Sequence, residues 1–220
     1  MSRFVLSSGH GKYVRGAKGY LDEVDEARLV VEQTAIVLRE IGEEVVTFHD
    51  DTSRSQSENL NTIVNFHNRQ TRDIDTSIHF NAYTTTSAPR GCEVLYVTQK
   101  DLSAKVSAAI AKAGSFINRG PKYRSDLTFL QKTTKPAILI ETCFVDSLAD
   151  ADLYRNRFDA ICIAIAESLS GKVVSEKPPQ PVEPEPPPVD PSPRPAIVSV
   201  AIEAPDHVEV SISLNGELIK

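Results

Sequence analysis

Across residues 1–172, short runs rich in β-branched and apolar residues alternate with stretches whose apolar positions recur at helical spacing. FVLSS (4–8), EVVTF (44–48), IDTSIHF (74–80), CEVLYVT (92–98), LTFLQ (127–131) and AILIET (137–142) read as strands. Between them Ala27, Val30, Val31, Thr34, Val37, Leu38 and Ile41 follow the i, i+3, i+4, i+7 rule, and Gly42 is placed to end that helix. Leu60/Ile63/Val64/His67, Leu102/Val106/Ala109/Ile110/Ala113/Ile117 and Phe158/Ile161/Cys162/Ile165/Leu169 repeat the pattern. Strands alternating with helices predict an α/β fold, a mostly parallel twisted sheet with helices on both faces.

The pattern breaks near residue 173. Ten of the 14 prolines lie between Pro178 and Pro195, where polyproline II is the regular conformation open to the backbone and no core can form. Residues 173–195 therefore read as a proline-rich linker, extended and semi-rigid. Residues 196–220 return to alternation (Val208, Val210, Ile212, Leu214), followed by Asn215-Gly216, a strong hairpin signal. A β-rich segment this short buries too little apolar surface to fold alone. Either the chain continues in a longer natural product, or these strands pair with another copy in a homo-oligomer, or they pack on the main domain.

Composition agrees with a soluble globular chain, with 40% hydrophobic and 25% charged residues. No apolar run approaches the roughly 18–20 residues needed to cross a bilayer, so membrane insertion is not expected. The N-terminal MSRFVLSSGHGK lacks the apolar stretch of a secretory signal, which predicts that the product stays in the cytoplasm until something else releases it. The net charge of -6 speaks against a nucleic-acid partner. It is also uneven: residues 1–172 carry 21 Lys/Arg against 22 Asp/Glu, so the acidity belongs mostly to the tail. Cys92, Cys143 and Cys162 are odd in number and lack paired metal spacing, and read as buried thiols.

In such a sheet, functional groups gather at the carboxyl ends of strands. Four polar residues stand at or just beyond such ends or open the next helix: His10 after FVLSSG, Glu23 at the start of the first long helix, His79 in SIHFNA, and Glu141 closing AILIE. Two histidines and a carboxylate make a three-ligand metal site with a position open for water, and a further carboxylate can move that water's proton to a leaving amine. Each residue also has a plainer reading. His10 can be a loop residue, although its flanking glycines suit close backbone approach. His79 can be a satisfied core histidine, and Glu23 a helix-start acid favoured by the macrodipole. Glu141 is the hardest to explain away, because a carboxylate ending a buried strand needs a partner. His49, before Asp50-Asp51, reads as a solvated turn, His67 as packing, and His207 lies in the tail. The competing chemistry is a Cys143 nucleophile with His79 as base, disfavoured because Thr-Cys-Phe-Val is an apolar setting that raises a thiol pKa.

In order, SSGHGK, GYLDEVDEARLVVEQTAIVLREIG, SIHFNAY, GCEVLYV, NRGPK, LTFLQKTTKPAILIETCFVD and IAIAESLSGK resemble the zinc-dependent N-acetylmuramoyl-L-alanine amidases, specifically the catalytic domains of phage endolysins against Gram-positive hosts. The resemblance spans residues 1–172. It implies a hydrolase of bacterial peptidoglycan that cuts the amide between the lactyl group of N-acetylmuramic acid and L-alanine, with one zinc ion held by His10, Glu23 and His79 and with Glu141 as catalytic carboxylate. Glu26 shares the helix face of Glu23 and competes for the ligand role; Glu23 is preferred for its distance before Gly42. Asn81, by strand period on the face of His79, is assigned to substrate or to orienting a ligand. The resemblance also implies accumulation in the host cytoplasm until a holin opens the membrane. A bacterial enzyme that lyses its own mother cell fits equally, and a non-catalytic wall-binding α/β protein is the alternative of another class.

Overall fold

The computed structural model describes residues 1–174 and two short strands near the C-terminus, and the chain divides into units Met1–Glu176 and Lys177–Lys220. The first unit runs β1 (Arg3–Gly11), α1 (Glu23–Glu40), β2 (Glu44–Asp50), α2 (Gln56–Arg69), β3 (Ile74–Asn81), β4 (Cys92–Tyr96), α3 (Lys100–Gly114), β5 (Asn118–Tyr123), α4 (Thr128–Lys132), β6 (Ala137–Phe144), α5 (Leu148–Asn156) and α6 (Phe158–Ser170). Six strands form one sheet in the order β2-β1-β3-β6-β4-β5. Every pairing is parallel except β4 with β6. The expected mostly parallel α/β sheet is the architecture found.

Strand alternation sends residues to two cores. Phe4, Leu6, Ile78, Phe80, Ile138 and Ile140 face a large core shared with α1, α3 and α6. Leu95, Ala137 and Leu139 face a smaller one closed by Ile63 and Val64 of α2 and by Phe129 and Leu130 of α4. Both faces are therefore covered, as buried parallel strands require. Helix ends follow local rules. Asp22 caps α1 through its side chain, Ser55 and Glu58 form a capping box on α2, and Gly42 leaves α1 at φ 81°.

Four expectations are corrected. LTFLQ forms helix α4 rather than a strand. Both edges of β6 are already paired, to β3 and to β4, so no ladder position remains beside it, and a helical turn lets adjacent Phe129 and Leu130 enter the same core. The sixth strand is instead β5, NRGPKY, whose glycine and proline conceal it in sequence; Pro121 is tolerated because β5 is an edge strand. Ile117, expected on the apolar face of α3, lies beyond its end: the helix stops at Gly114, Ser115 turns the chain at φ 56°, and Ile117 is exposed. His49 sits on β2 rather than in a solvated turn, hydrogen-bonded to Ser8 and Glu32.

In the second unit, β7 (Ser213–Leu214) pairs antiparallel with β8 (Glu217–Leu218), on either side of the Asn215-Gly216 hairpin signal. The remaining readings beyond residue 174, including the linker prolines, His207 and the alternation through Ile212, lie outside the described residues.

Candidate active site

His10 lies near the end of β1, Glu23 is the first residue of α1, and His79 lies near the end of β3. Together they offer ligand atoms that all fall within 4.8 Å of one another. His10 Nε2 is 3.4 Å and His79 Nδ1 3.1 Å from the same oxygen, Glu23 Oε1, and the two rings meet edge to face at 5.1 Å. Backbone donors hold the carboxylate: Phe80 N–H donates to Oε1 at 3.2 Å and Ala17 N–H to Oε2 at 2.7 Å. Burial works to raise the Glu23 pKa, but the hydrogen bonds and charges of His10 and His79 outweigh it and keep the carboxyl well below the usual range.

Two glycines make room for this cluster. A Cβ on Gly9 would come within 1.9 Å of the His79 ring, and one on Gly16 within 2.1 Å of Glu23 Oε2 and 2.6 Å of His10. Gly9 fits the expectation that glycine beside His10 permits close approach, although what approaches is the neighbouring strand's histidine. Gly16 has no recognisable signal in the sequence, since only the tertiary fold brings its loop against Glu23. Glu26 is occupied elsewhere: its Oε2 accepts a 2.9 Å hydrogen bond from the hydroxyl of buried Tyr154.

Glu141 is the register partner of His79 across β3 and β6 and lines the same cleft, which has a volume of about 470 Å³. Its Oε2 is buried without a hydrogen-bond partner among the described residues. Burial, with the charges of Glu23 and Glu93, pushes its pKa up to about 8, partly offset by Arg124. Glu93, opposite Glu141 on β4, accepts hydrogen bonds from Asn81 Nδ2 at 2.9 Å and from Arg119 Nε at 2.7 Å. The Asn81 amide thus orients Glu93, while its Oδ1 accepts from Ala82 N–H at 2.8 Å. Glu93, Arg119 and Arg124 were not singled out from sequence, where isolated charges in short strands and turns carry no distinguishing pattern.

The donor set suits a divalent metal of borderline softness: two imidazoles and one carboxylate, preoriented by backbone hydrogen bonds and with glycine in place of any side chain that would fill the space. The cysteine alternative fares poorly. Cys143 is fully buried in the large core, where burial first and nearby acidic groups second push its thiol far above its ordinary value.

The family model for N-acetylmuramoyl-L-alanine amidase matches residues 4–170. The chain belongs to this family. A 38.4 kDa protein of Clostridium perfringens is 30% identical over 181 residues, covering 79% of this chain and 52% of its own length. The chain thus spans about half the length of the curated relatives it matches. Among solved structures, the catalytic domain of an endolysin targeting Clostridia difficile superposes with a TM-score of 0.73 at 22% identity, covering 80% of this chain and all of that one. An N-acetylmuramoyl-L-alanine amidase of Nostoc punctiforme gives 0.68 at 26% identity, covering 77% and 96%. The family's fold is thus the one described above, with the His10–Glu23–His79 cluster at the carboxyl ends of its central strands.

Proposed function

We propose that this chain cleaves peptidoglycan at the amide joining the lactyl group of N-acetylmuramic acid to L-alanine, and that it does so with zinc. The observation that carries the reading is the approach of His10, Glu23 and His79 to one point beside an unpartnered Glu141 oxygen, in a chain of the amidase family. His10, Glu23 and His79 would hold the ion, which supplies a Lewis acid for the scissile carbonyl and makes water acidic near neutral pH.

The rest of the chemistry belongs to the side chains. The Glu141 carboxylate accepts a proton from the attacking water and delivers it to the L-alanine nitrogen as the C–N bond breaks, leaving a lactyl carboxylate and a free peptide amine. Burial and the neighbouring carboxylates raise the proton affinity of Glu141, which favours its taking the water's proton. Glu93, fixed by Asn81 and Arg119, keeps a second carboxyl beside Glu141. The support for Glu23 over Glu26 as the carboxylate ligand is that Glu26 already serves Tyr154.

The same proposal assigns residues 1–172 to catalysis, 173–195 to a spacer and 196–220 to wall binding or to pairing between copies. Among the described residues no helix is long and apolar enough to cross a membrane. Digestion of purified walls followed by labelling of new amino termini tests the reaction. The expected product is an N-terminal L-alanine; new reducing sugar ends, or amino termini of other residues alone, would replace the amidase reading with a glycosidase or endopeptidase.

A further inference from the structure

Besides His10, His79 and Glu141, the cleft wall carries two charged side chains, Arg124 and Asp126. Arg124 directly follows β5, and its N–H donates to Tyr96 O at 2.9 Å, which roots it at the sheet edge. Its guanidinium meets Asp126 side-on, Nε to Oδ1 and Nη2 to Oδ2, both at 2.8 Å. That arrangement uses two of five N–H donors. The other three, two on Nη1 and one on Nη2, have no partner among the described residues, and one from each of these nitrogens makes the end-on edge that grips a carboxylate bidentately.

The pair contributes little to stability, because its side chains are 45% and 66% exposed. It does fix the plane of the guanidinium at the cleft. Leu127 and Phe129 line the same wall, and an apolar neighbour strengthens any ion pair formed there. On the glycan side of the scissile bond the lactyl carboxyl is consumed in the amide, so free carboxylates of this substrate lie on the peptide side. Resting on the amidase reading, we infer that Arg124 is a specificity-determining residue that pairs with a free carboxylate on the residue following L-alanine, with Asp126 positioning its guanidinium.

The test uses two disaccharide-peptides that differ in one group: after L-alanine, one carries D-glutamate with a free α-carboxylate and the other D-isoglutamine with a carboxamide. Calorimetric Kd values are measured on the full zinc-loaded chain carrying Glu141→Gln, with Arg124 intact or changed to Gln or Lys. The carboxylate form should bind about tenfold tighter, as one charge-assisted hydrogen-bonded pair allows. Arg124→Gln should bring the ratio to near one, and Arg124→Lys should restore part of it. Asp126→Asn, which leaves Arg124 in place but unfixed, should lower the ratio without abolishing it. A ratio near one in the Arg124 protein, or one that survives Arg124→Gln, overturns the inference. Cleavage by the chain with native Glu141, read in parallel, separates the two proposals. No new L-alanine amine from either fragment overturns the amidase reading while an Arg124-dependent binding ratio still supports the carboxylate site. Cleavage of both with no such ratio overturns the carboxylate site alone.

Discussion

His79 and Glu141 are register partners on neighbouring parallel strands, β3 and β6. Sheet pairing, rather than a flexible loop, thus sets the distance between the histidine proposed to hold the metal and the carboxyl proposed to move protons. Both side chains line the cleft on the face closed by α2 and α4.

From this placement, Glu141→Gln should fold and retain zinc yet lose roughly 10²–10⁴-fold in rate, the usual size of a general acid–base contribution. Elemental analysis and release of L-alanine amine read the two properties separately. A Gln variant with near-native turnover would remove Glu141 from proton transfer.

The two helix-start glutamates should separate cleanly. Glu23→Ala should abolish zinc binding, since both histidines meet at its Oε1. Glu26→Ala should keep the metal but lower the melting temperature, because the buried Tyr154 hydroxyl loses its acceptor, at a cost of about 1–3 kcal/mol. Zinc loss confined to Glu26→Ala would reverse the assignment.

Gly9→Ala should weaken zinc binding by roughly 10–100-fold, as displacement of a ligand's support does. The new methyl would overlap the His79 ring, whose position is set by β3 rather than by a flexible stem. Competition with a fluorescent zinc chelator measures the change; native affinity would mean that the strands can separate at no cost.

Excess chelator should stop turbidity loss of Gram-positive walls, and added zinc should restore it. Lysis that persists after complete metal removal, confirmed by elemental analysis, would take the metal out of the reaction.

Stability should fall in two steps as pH decreases. His67 is fully buried between Ser7 and Asp75, at 2.9 Å and 2.7 Å, and burial lowers its pKa more than Asp75 raises it. The unfolded chain therefore takes up this proton near pH 6.5 and the folded chain only lower, so protonation favours unfolding and stability declines as pH falls below about 6.5. Asp50 acts at more acid pH. Desolvation opposes its ionisation, but hydrogen bonds from Ser53, Asn59 and Thr52 hold its pKa below 3.8, so its contribution is present above that pH and is lost below it. Melting temperatures across pH 2–8 should show both losses, and His67→Gln should shrink the upper one, to which the partly buried His49 contributes in the same direction.

Much of this could be read locally. The helix over Ala27–Ile41 announced itself through its apolar period and Gly42, and the central strands through β-branched runs. His10, His79 and Glu141 stood out because polar groups at the ends of apolar strands are costly without a use. Elements at the periphery were harder. β5 is polar and broken by glycine and proline, so it carries no strand signal, while α4 has a strand-like composition that its place in the fold overrides.

What the sequence by itself determined is therefore the α/β class, the central strands, the main helices and a short set of residues worth metal chemistry. Tertiary structure decided which of them meet. It turned Glu23 rather than Glu26 toward the histidines, set Gly16 against the carboxylate, bound Asn81 to Glu93 and brought Arg124 from the end of an edge strand to the cleft. The physical reason is range: hydrophobic period and capping act over a few residues, whereas a site assembled from five strands and a helix depends on strand order and register, which no local window contains.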